Sequence, residues 1–221
     1  MTIRQRYEKI LQWFIQNRPD AQSELHFQSN FQLLVAVILS AQCTDKRVNM
    51  VTPTLFAHYP DAYAMSKATS KEILPFISSI SYPNSKASHL ADMSRQLVLR
   101  FNGEVPQEME ELTSLPGVGR KTANVMQAVA FGGNAMPVDT HVFRVANRLG
   151  LCHTSTPLAT EKALVRHIPS SLLSKAHHWL LLHGRYTCTA RVPKCTTCGL
   201  TDWCADFQKR HHHSSLSTNA K

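Results

Sequence analysis

The chain has 221 residues, 43% of them hydrophobic, with a mean hydropathy of −0.22, enough for one large core or two small ones in water. Lys and Arg number 24 against 15 Asp and Glu, a net charge of +9 that favours nucleic acid or another anionic surface as partner. The longest apolar run, Leu33–Leu39, is far short of the roughly 20 residues of a membrane-spanning helix, and Met1–Arg6 lacks the apolar core of a signal peptide, so a cytoplasmic protein is expected.

From the N-terminus, Ile3–Asn17 carries apolar residues at Ile3, Tyr7, Ile10, Leu11, Phe14 and Ile15, a helical stripe stopped by Pro19. Asn30 is the expected N-cap of a helix over Phe31–Ala41, which is apolar around most of its circumference and therefore expected to be buried. Helices are predicted next over Asp45–His58, Ser70–Ile80, Asn84–Phe101 and Gln107–Thr113. They are followed by Lys121–Phe131, Thr140–Leu149, Pro157–His167 and Ser171–Leu182. No stretch alternates with β-branched enrichment, so the fold class is all-α, with loops punctuated by Pro60, Pro75, Pro83, Pro106, Pro116, Pro137 and Pro169. Gly132–Gly133 is the best internal boundary, and the polar, Ser-rich end, 208–221, is expected to be disordered.

Between two of the predicted helices lies Leu115-Pro116-Gly117-Val118-Gly119-Arg120-Lys121. Glycines one residue apart permit positive φ and leave the backbone uncovered. Their N–H groups, beside a helix N-terminus, make an anion site. In so basic a chain the anion is most simply a DNA phosphate, with Leu115 and Val118 anchoring the turn, although a ligand-free helix–helix turn has the same ingredients. Lys121, in the first turn of the second helix beside Arg120, is either a solvated lysine or an amine nucleophile. Farther on, Pro137-Val138-Asp139-Thr140-His141-Val142-Phe143-Arg144 puts Asp139 at the N-cap of the helix Thr140–Leu149. A capping carboxylate is also a fixed negative charge, suited to a cationic sugar transition state. Positive charge is concentrated here and toward the end of the chain, with a net +3 over 115–148 and +4 over 185–221.

Six cysteines need an explanation in a reducing compartment. Cys43 and Cys152 stand apart and are expected to be buried small hydrophobes. Cys188, Cys195, Cys198 and Cys204 fall within 17 residues as Cys-x6-Cys-x2-Cys-x5-Cys. Four thiolates this close hold zinc or an iron–sulfur cluster. Zinc ribbons usually show two Cys-x-x-Cys knuckles and this chain has one, so the spacing favours iron–sulfur while leaving zinc open.

Together with Leu39-Ser40-Ala41-Gln42, Thr44-Asp45, Asn84-Ser85-Lys86-Ala87, Asn102-Gly103-Glu104-Val105-Pro106 and His183-Gly184-Arg185-Tyr186, these motifs resemble the endonuclease III family of helix-hairpin-helix DNA glycosylases, over about Ile3–Phe207. The resemblance implies a six-helix barrel domain over 23–133 and a second domain, built from 1–22 and 134–207, with a [4Fe–4S] cluster on the four cysteines. It implies a cleft that receives a base flipped out of duplex DNA, with Lys121 as nucleophile and Asp139 as catalytic carboxylate. The implied activity is that of a bifunctional DNA glycosylase/AP lyase of base excision repair. Such an enzyme removes oxidised pyrimidines through a lysine Schiff base and cuts the strand by β-elimination.

The implied DNA contacts are the hairpin residues Leu115, Pro116, Gly117, Val118 and Gly119, with Arg144, and Gln42 as a wedge filling the vacated stack. Arg191 and Lys194, between the first two cysteines, are expected at phosphates. One departure stands out: where the family usually carries a Gly-Leu-Tyr/Phe wedge before Asn-Ser-Lys-Ala, this chain has Ser81-Tyr82-Pro83. Pro83 is expected to hold Tyr82 extended, with its ring placed to stack on the orphaned base. The alternatives are an adenine-mismatch glycosylase relative, whose family lacks the hairpin lysine, and a non-catalytic DNA-binding module with structural zinc. The expected form is a monomer acting on double-stranded DNA in the cytoplasm, associated with the nucleoid.

Overall fold

A computed structural model describes residues 1–133 and 135–210, and every regular element among them is helical. In chain order these are α1 (Ile3–Asn17), α2 (Asn30–Ser40), α3 (Asp45–His58), α4 (Ala62–Ser66), α5 (Ser70–Ile77), α6 (Pro83–Phe101), α7 (Met109–Thr113), α8 (Arg120–Val129), α9 (Thr140–Leu149), α10 (Pro157–His167) and α11 (Leu173–Tyr186). Among the described residues no helix is long and apolar enough to cross a membrane. The helices gather into two compact units, one formed by 23–133 and the other by 1–22 with the described part of 134–221.

In the 23–133 unit, α2 is buried from Phe31 to Leu39 and packs against α3, α6 and α8. Its near-uniform apolarity thus has a partner on each side. Leu33, Leu34 and Leu39 are fully buried with Leu55, Met65, Ile73, Leu90 and Leu97, each such side chain contributing about 1.5–3 kcal/mol of burial. The cap of α2 is Ser29 rather than Asn30, because the Ser29 side chain accepts the Gln32 N–H at 3.2 Å. Helix α4, too short to show a periodicity, is capped by Asp61, which accepts the Ala64 N–H at 2.8 Å.

In the other unit, Tyr7, Ile10 and Phe14 of α1 are buried with Val142, Val145 and Leu149 of α9 and Trp179 and Leu180 of α11. Phe14 stacks on Trp179 with ring centroids 5.6 Å apart. The Tyr7 hydroxyl donates to Leu151 O at 2.8 Å and Trp179 Nε1 donates to Arg18 O at 2.8 Å. Helix α11 runs four residues past the predicted Leu182, through Tyr186. It can do so because Gly184 lets α9 cross it closely: a Cβ there would lie 2.9 Å from His141 Cβ and 3.0 Å from Val145 Cγ2.

The expected tail needs one correction. Residues 205–210 are helical, with Gln208 N–H donating to Cys204 O at 3.1 Å and Arg210 paired with Asp206 at 2.8 Å. An i,i+4 ion pair and a continued backbone ladder carry the chain to Arg210; 211–221 lie outside the described residues.

His178 is buried on α11, and burial, reinforced by His177 and Lys175, pushes its pKa down to about 3. The folded chain therefore keeps this imidazole neutral while the unfolded chain protonates it below its ordinary 6.5. The destabilisation grows as pH falls from 6.5, reaching on the order of 2 kcal/mol by pH 5. In His178→Leu the urea midpoint should fall less steeply over pH 6.5–5 than in the wild type; parallel profiles would contradict a buried neutral histidine.

Candidate active site and cysteine pocket

The hairpin begins where α7 ends. Val118 N–H donates to Leu115 O at 3.1 Å, closing a tight turn with Leu115 and Val118 buried and Gly117 and Gly119 exposed. Only Gly117 takes a positive φ, +78°, and a Cβ there would lie 2.9 Å from His89 Cβ. Gly119 is extended, at φ −90° and ψ 175°, with open space where a side chain would stand. Neither conformation nor packing demands this second glycine. Its effect is to leave the start of α8 uncovered, and no side chain caps that helix. First-turn N–H groups have no intrahelical acceptor, so an anion can approach them directly. Lys121 is the second residue of α8 and is exposed.

Asp139 caps α9, its Oδ1 accepting the Val142 N–H at 2.8 Å. It is half-buried, and its second oxygen takes no hydrogen bond among the described residues. The chain entering the cap is anchored where buried His177 Nδ1 donates to Pro137 O at 2.8 Å. Lys121 belongs to the 23–133 unit and Asp139 to the other. Five residues beyond Asp139, the Arg144 guanidinium is held by backbone carbonyls. Its Nη2 donates to Gly184 O at 2.8 Å and its Nε to Cys188 O at 3.1 Å. The guanidinium ties α9 to the end of α11, because its planar fork matches carbonyls that α11 leaves open at its C-terminus.

Gln42 and Tyr82 are both exposed and both left-handed, with φ of 54° and 57°. The expected extended Tyr82 is therefore corrected. Ile80 is buried, the Ser81 hydroxyl donates to Gln42 O at 2.8 Å, and α6 starts at Pro83. The chain must turn within Tyr82, and that constraint outweighs the preference imposed by the following proline. A left-handed non-glycine residue costs about 1–3 kcal/mol and tends to mark a functional segment.

Cys188, Cys195, Cys198 and Cys204 line one pocket, with Arg148, His183 and Phe207 among their neighbours. Arg148 Nη1 donates to Thr189 O at 2.7 Å and lies 3.6 Å from Cys188 Sγ, while its Nη2 donates to Ala190 O at 2.8 Å. Arg210 Nη2 is 3.6 Å from Cys195 Sγ, and His183 Nε2 is 3.7 Å from Cys198 Sγ. Burial pushes the Cys198 and Cys204 thiols up, against backbone hydrogen bonds at Leu200 and at Phe207 and Asp206. Such a pocket disfavours thiolates until cationic charge arrives with a metal.

Among the described residues no three His, Cys, Asp or Glu side chains are grouped to hold a single metal ion. A zinc ion needs every sulfur about 2.3 Å from one point, whereas a cubane spreads its thiolates over different irons. Four cysteines lining one pocket are a donor set that suits a thiolate-bound metal centre. Arg191 and Lys194 are exposed on the 189–194 loop, which Arg148 pins from one side and the Lys194 N–H, donating to Thr187 O at 2.9 Å, from the other. Of the two separate cysteines, Cys152 is buried and Cys43 only half-buried.

Motif reading missed Arg148 and, although it quoted His183, did not place that residue beside the cysteines. The signal for Arg148 was its place four residues after Arg144, on the same face of the helix that Asp139 caps.

Residues 35–170 match the HhH-GPD superfamily of base excision DNA repair proteins. The chain is 45% identical to endonuclease III of Rickettsia conorii over 196 residues, 89% of this chain and 93% of that protein. It is 42% identical to endonuclease III of Escherichia coli (strain K12), over 91% of this chain and 95% of that one. Among solved structures it resembles a trapped endonuclease III–DNA covalent intermediate in an estranged-adenine complex, with a TM-score of 0.89 and 42% identity, covering 96% of this chain and 100% of that chain. A thermostable thymine-DNA glycosylase, 24% identical, shares the fold with a TM-score of 0.79. With the hairpin, the capped aspartate and the four-cysteine pocket already in place, identity of this depth over nine-tenths of the chain makes it a member of the endonuclease III family, within the HhH-GPD superfamily of base excision DNA repair proteins.

Proposed function

We propose that Lys121 and Asp139 carry the chemistry of this base excision repair enzyme, a DNA glycosylase with AP lyase activity, and that its substrates are oxidised pyrimidines in double-stranded DNA. The observation that carries the assignment is two side chains that each keep a reactive atom uncommitted among the described residues. Lys121 is an exposed amine on the bare end of α8, and Asp139 is a carboxylate with one oxygen fixed by its own helix and the other uncommitted among the described residues.

As the damaged base departs, positive charge develops on the deoxyribose, and the Asp139 carboxylate stabilises it without reorganising, since the cap already holds it. The Lys121 amine attacks C1′, forming the C1′–Nζ bond as the C1′–base bond breaks and the base leaves with a proton; the nitrogen then gives up one proton and its lone pair expels O4′, which is protonated as the sugar ring opens, leaving a C1′=Nζ iminium. The iminium acidifies the C2′ protons; loss of one expels the 3′ phosphate and cuts the strand. Oxidised pyrimidines have lost aromatic stacking and cost less to extrude than normal bases.

Around this chemistry, the uncovered Gly119 and the start of α8 take a DNA phosphate, Gln42 and Tyr82 fill the vacated stack, and Arg191 and Lys194 meet the backbone. Cys188, Cys195, Cys198 and Cys204 would hold a [4Fe–4S] cluster, which when bound supplies four iron–thiolate bonds that brace 188–204. The protein acts as a monomer.

Borohydride trapping on duplex DNA carrying one oxidised pyrimidine tests the assignment. Lys121→Gln should abolish both the covalent adduct and strand cleavage while leaving DNA affinity nearly unchanged, since one cationic contact of many is lost. An adduct persisting in that variant would put another amine in the role. Asn caps a helix about as well as Asp, so Asp139→Asn should cost only about a few tenths of a kcal/mol in stability. Its glycosylase rate should nevertheless fall by roughly a hundredfold or more. A melting temperature that dropped in step with activity would make Asp139 a cap and nothing else.

Neutralising Arg191 and Lys194 together should weaken binding to damaged and undamaged duplex alike and lower the salt slope by up to about 2. An unchanged slope would leave both as ordinary solvated charges.

A further inference from the structure

Gln42 and Tyr82 stand on separate loops, yet a single residue is bonded to the backbone just before Gln42 and to Tyr82 itself. Lys86, in α6, donates its backbone N–H to Tyr82 O at 3.1 Å. Its Nζ donates to Leu39 O at 2.8 Å and to Ala41 O at 2.6 Å, the carbonyls just before Gln42. The Ser81 hydroxyl closes the arrangement by donating to Gln42 O at 2.8 Å. In front of this clamp, the Gln42 amide and the Tyr82 hydroxyl make no hydrogen bond among the described residues, and Tyr82 is 65% exposed. The position after a helix C-cap, when left-handed, is ordinarily glycine; at the end of α2 it is Gln42.

We propose that Lys86 is a positioning residue that holds Gln42 and Tyr82 as one rigid pair, so that both enter the duplex stack together when a base is extruded. The inference rests on the DNA-repair reading above and adds to it the residue that aims the pair.

A lysine suits this place for two reasons. The last carbonyls of α2 have no intrahelical partner, and Leu39 is fully buried, so water cannot serve them. An ammonium at a helix C-terminus is favoured by the dipole and supplies several donors at once. The arrangement is a costly way to end a helix: Lys86 is 6% exposed, and burial pushes its pKa below the ordinary lysine value. A glycine cap would finish α2 without burying a charge, but it would not join the Gln42 turn to the helix that starts at Tyr82. With the ammonium of Lys86 on the carbonyl before Gln42, its backbone N–H on Tyr82 O and Ser81 on Gln42 O, two strained residues have little freedom to relax, and aimed side chains remain aimed.

The test compares two substrates with the full chain. One is duplex DNA carrying a single oxidised pyrimidine; the other is a single-stranded oligonucleotide with a preformed abasic site, where there is no stack to fill. Lys86→Met should lose roughly tenfold to a hundredfold in single-turnover rate on the duplex and keep wild-type borohydride trapping on the single strand. On the duplex, Lys86→Met combined with Gln42→Ala should be no slower than the worse single variant, because both remove the same aimed group. Equal losses on the two substrates, or additive losses in the double variant, would make Lys86 a structural cap only and overturn the inference. If Lys86→Met does not fold, Lys86→Arg, which keeps a cation at the helix end, and Ser81→Ala, which loosens the pair from the surface, carry the same comparison. A duplex-selective loss in either supports the clamp, and full duplex activity in both overturns it. A wild-type chain that traps neither substrate would remove the proposed chemistry itself, an outcome distinct from any failure of Lys86.

Discussion

An α-helix leaves its first N–H groups and its last carbonyls without internal partners, and a chain made only of helices must finish every one of those ends. In this protein the unfinished ends are where polar chemistry is held. The start of α8 lacks a capping side chain and presents Lys121. The start of α9 is closed by Asp139, a group that uses one oxygen on the helix and leaves one over. The end of α2 is closed by a buried ammonium, and the end of α11 by the guanidinium of Arg144. The hydrophobic interiors of the two units fix where those ends lie, and polar side chains finish them or stand at them.

The cysteine-bearing unit shows the same logic with a softer ligand. Its 188–204 segment has little regular structure, two short 3-10 turns, and is held from outside. Arg148 grips the loop by two carbonyls. Trp13 of α1 packs so closely on Gly199 that a Cβ there would lie 2.7 Å from the indole. Phe14 and Trp13 both set their edges against the His183 ring beside Cys198. The N-terminal helix is thus part of the wall around a motif more than 170 residues away in sequence.

Much of this was legible in the sequence because it is local. The stripe in Ile3–Asn17, the cap at Asp139 and the Cys-x-x-Cys knuckle are set by residues a few positions apart, and their helices and turns appear where the pattern puts them. Tyr82 was misread because the rule for a residue before proline is also local. Burial of Ile80 and the bond from Ser81 to Gln42, 39 residues away, decided the matter instead. Of the two properties expected of the hairpin glycines, Gly117 uses the positive φ and Gly119 only the uncovered backbone. The carbonyl partners of Arg144, at Gly184 and Cys188, are 40 and 44 residues distant, and no local pattern announces them. Charged side chains that reach across the fold cannot be told from solvated ones until their carbonyl partners are known.

The way α1 joins its unit has a consequence for biosynthesis. Residues 23–133 form a continuous stretch that can close its core as soon as it leaves the ribosome. Tyr7, Ile10 and Phe14, made earlier, must wait for Trp179 and the helices around it. At ordinary translation rates that interval is roughly 10–40 s. Throughout it the nascent chain carries an amphipathic helix with its apolar face unsatisfied. Residues 1–22, made before the 23–133 unit, therefore find their place only after that whole unit has been made.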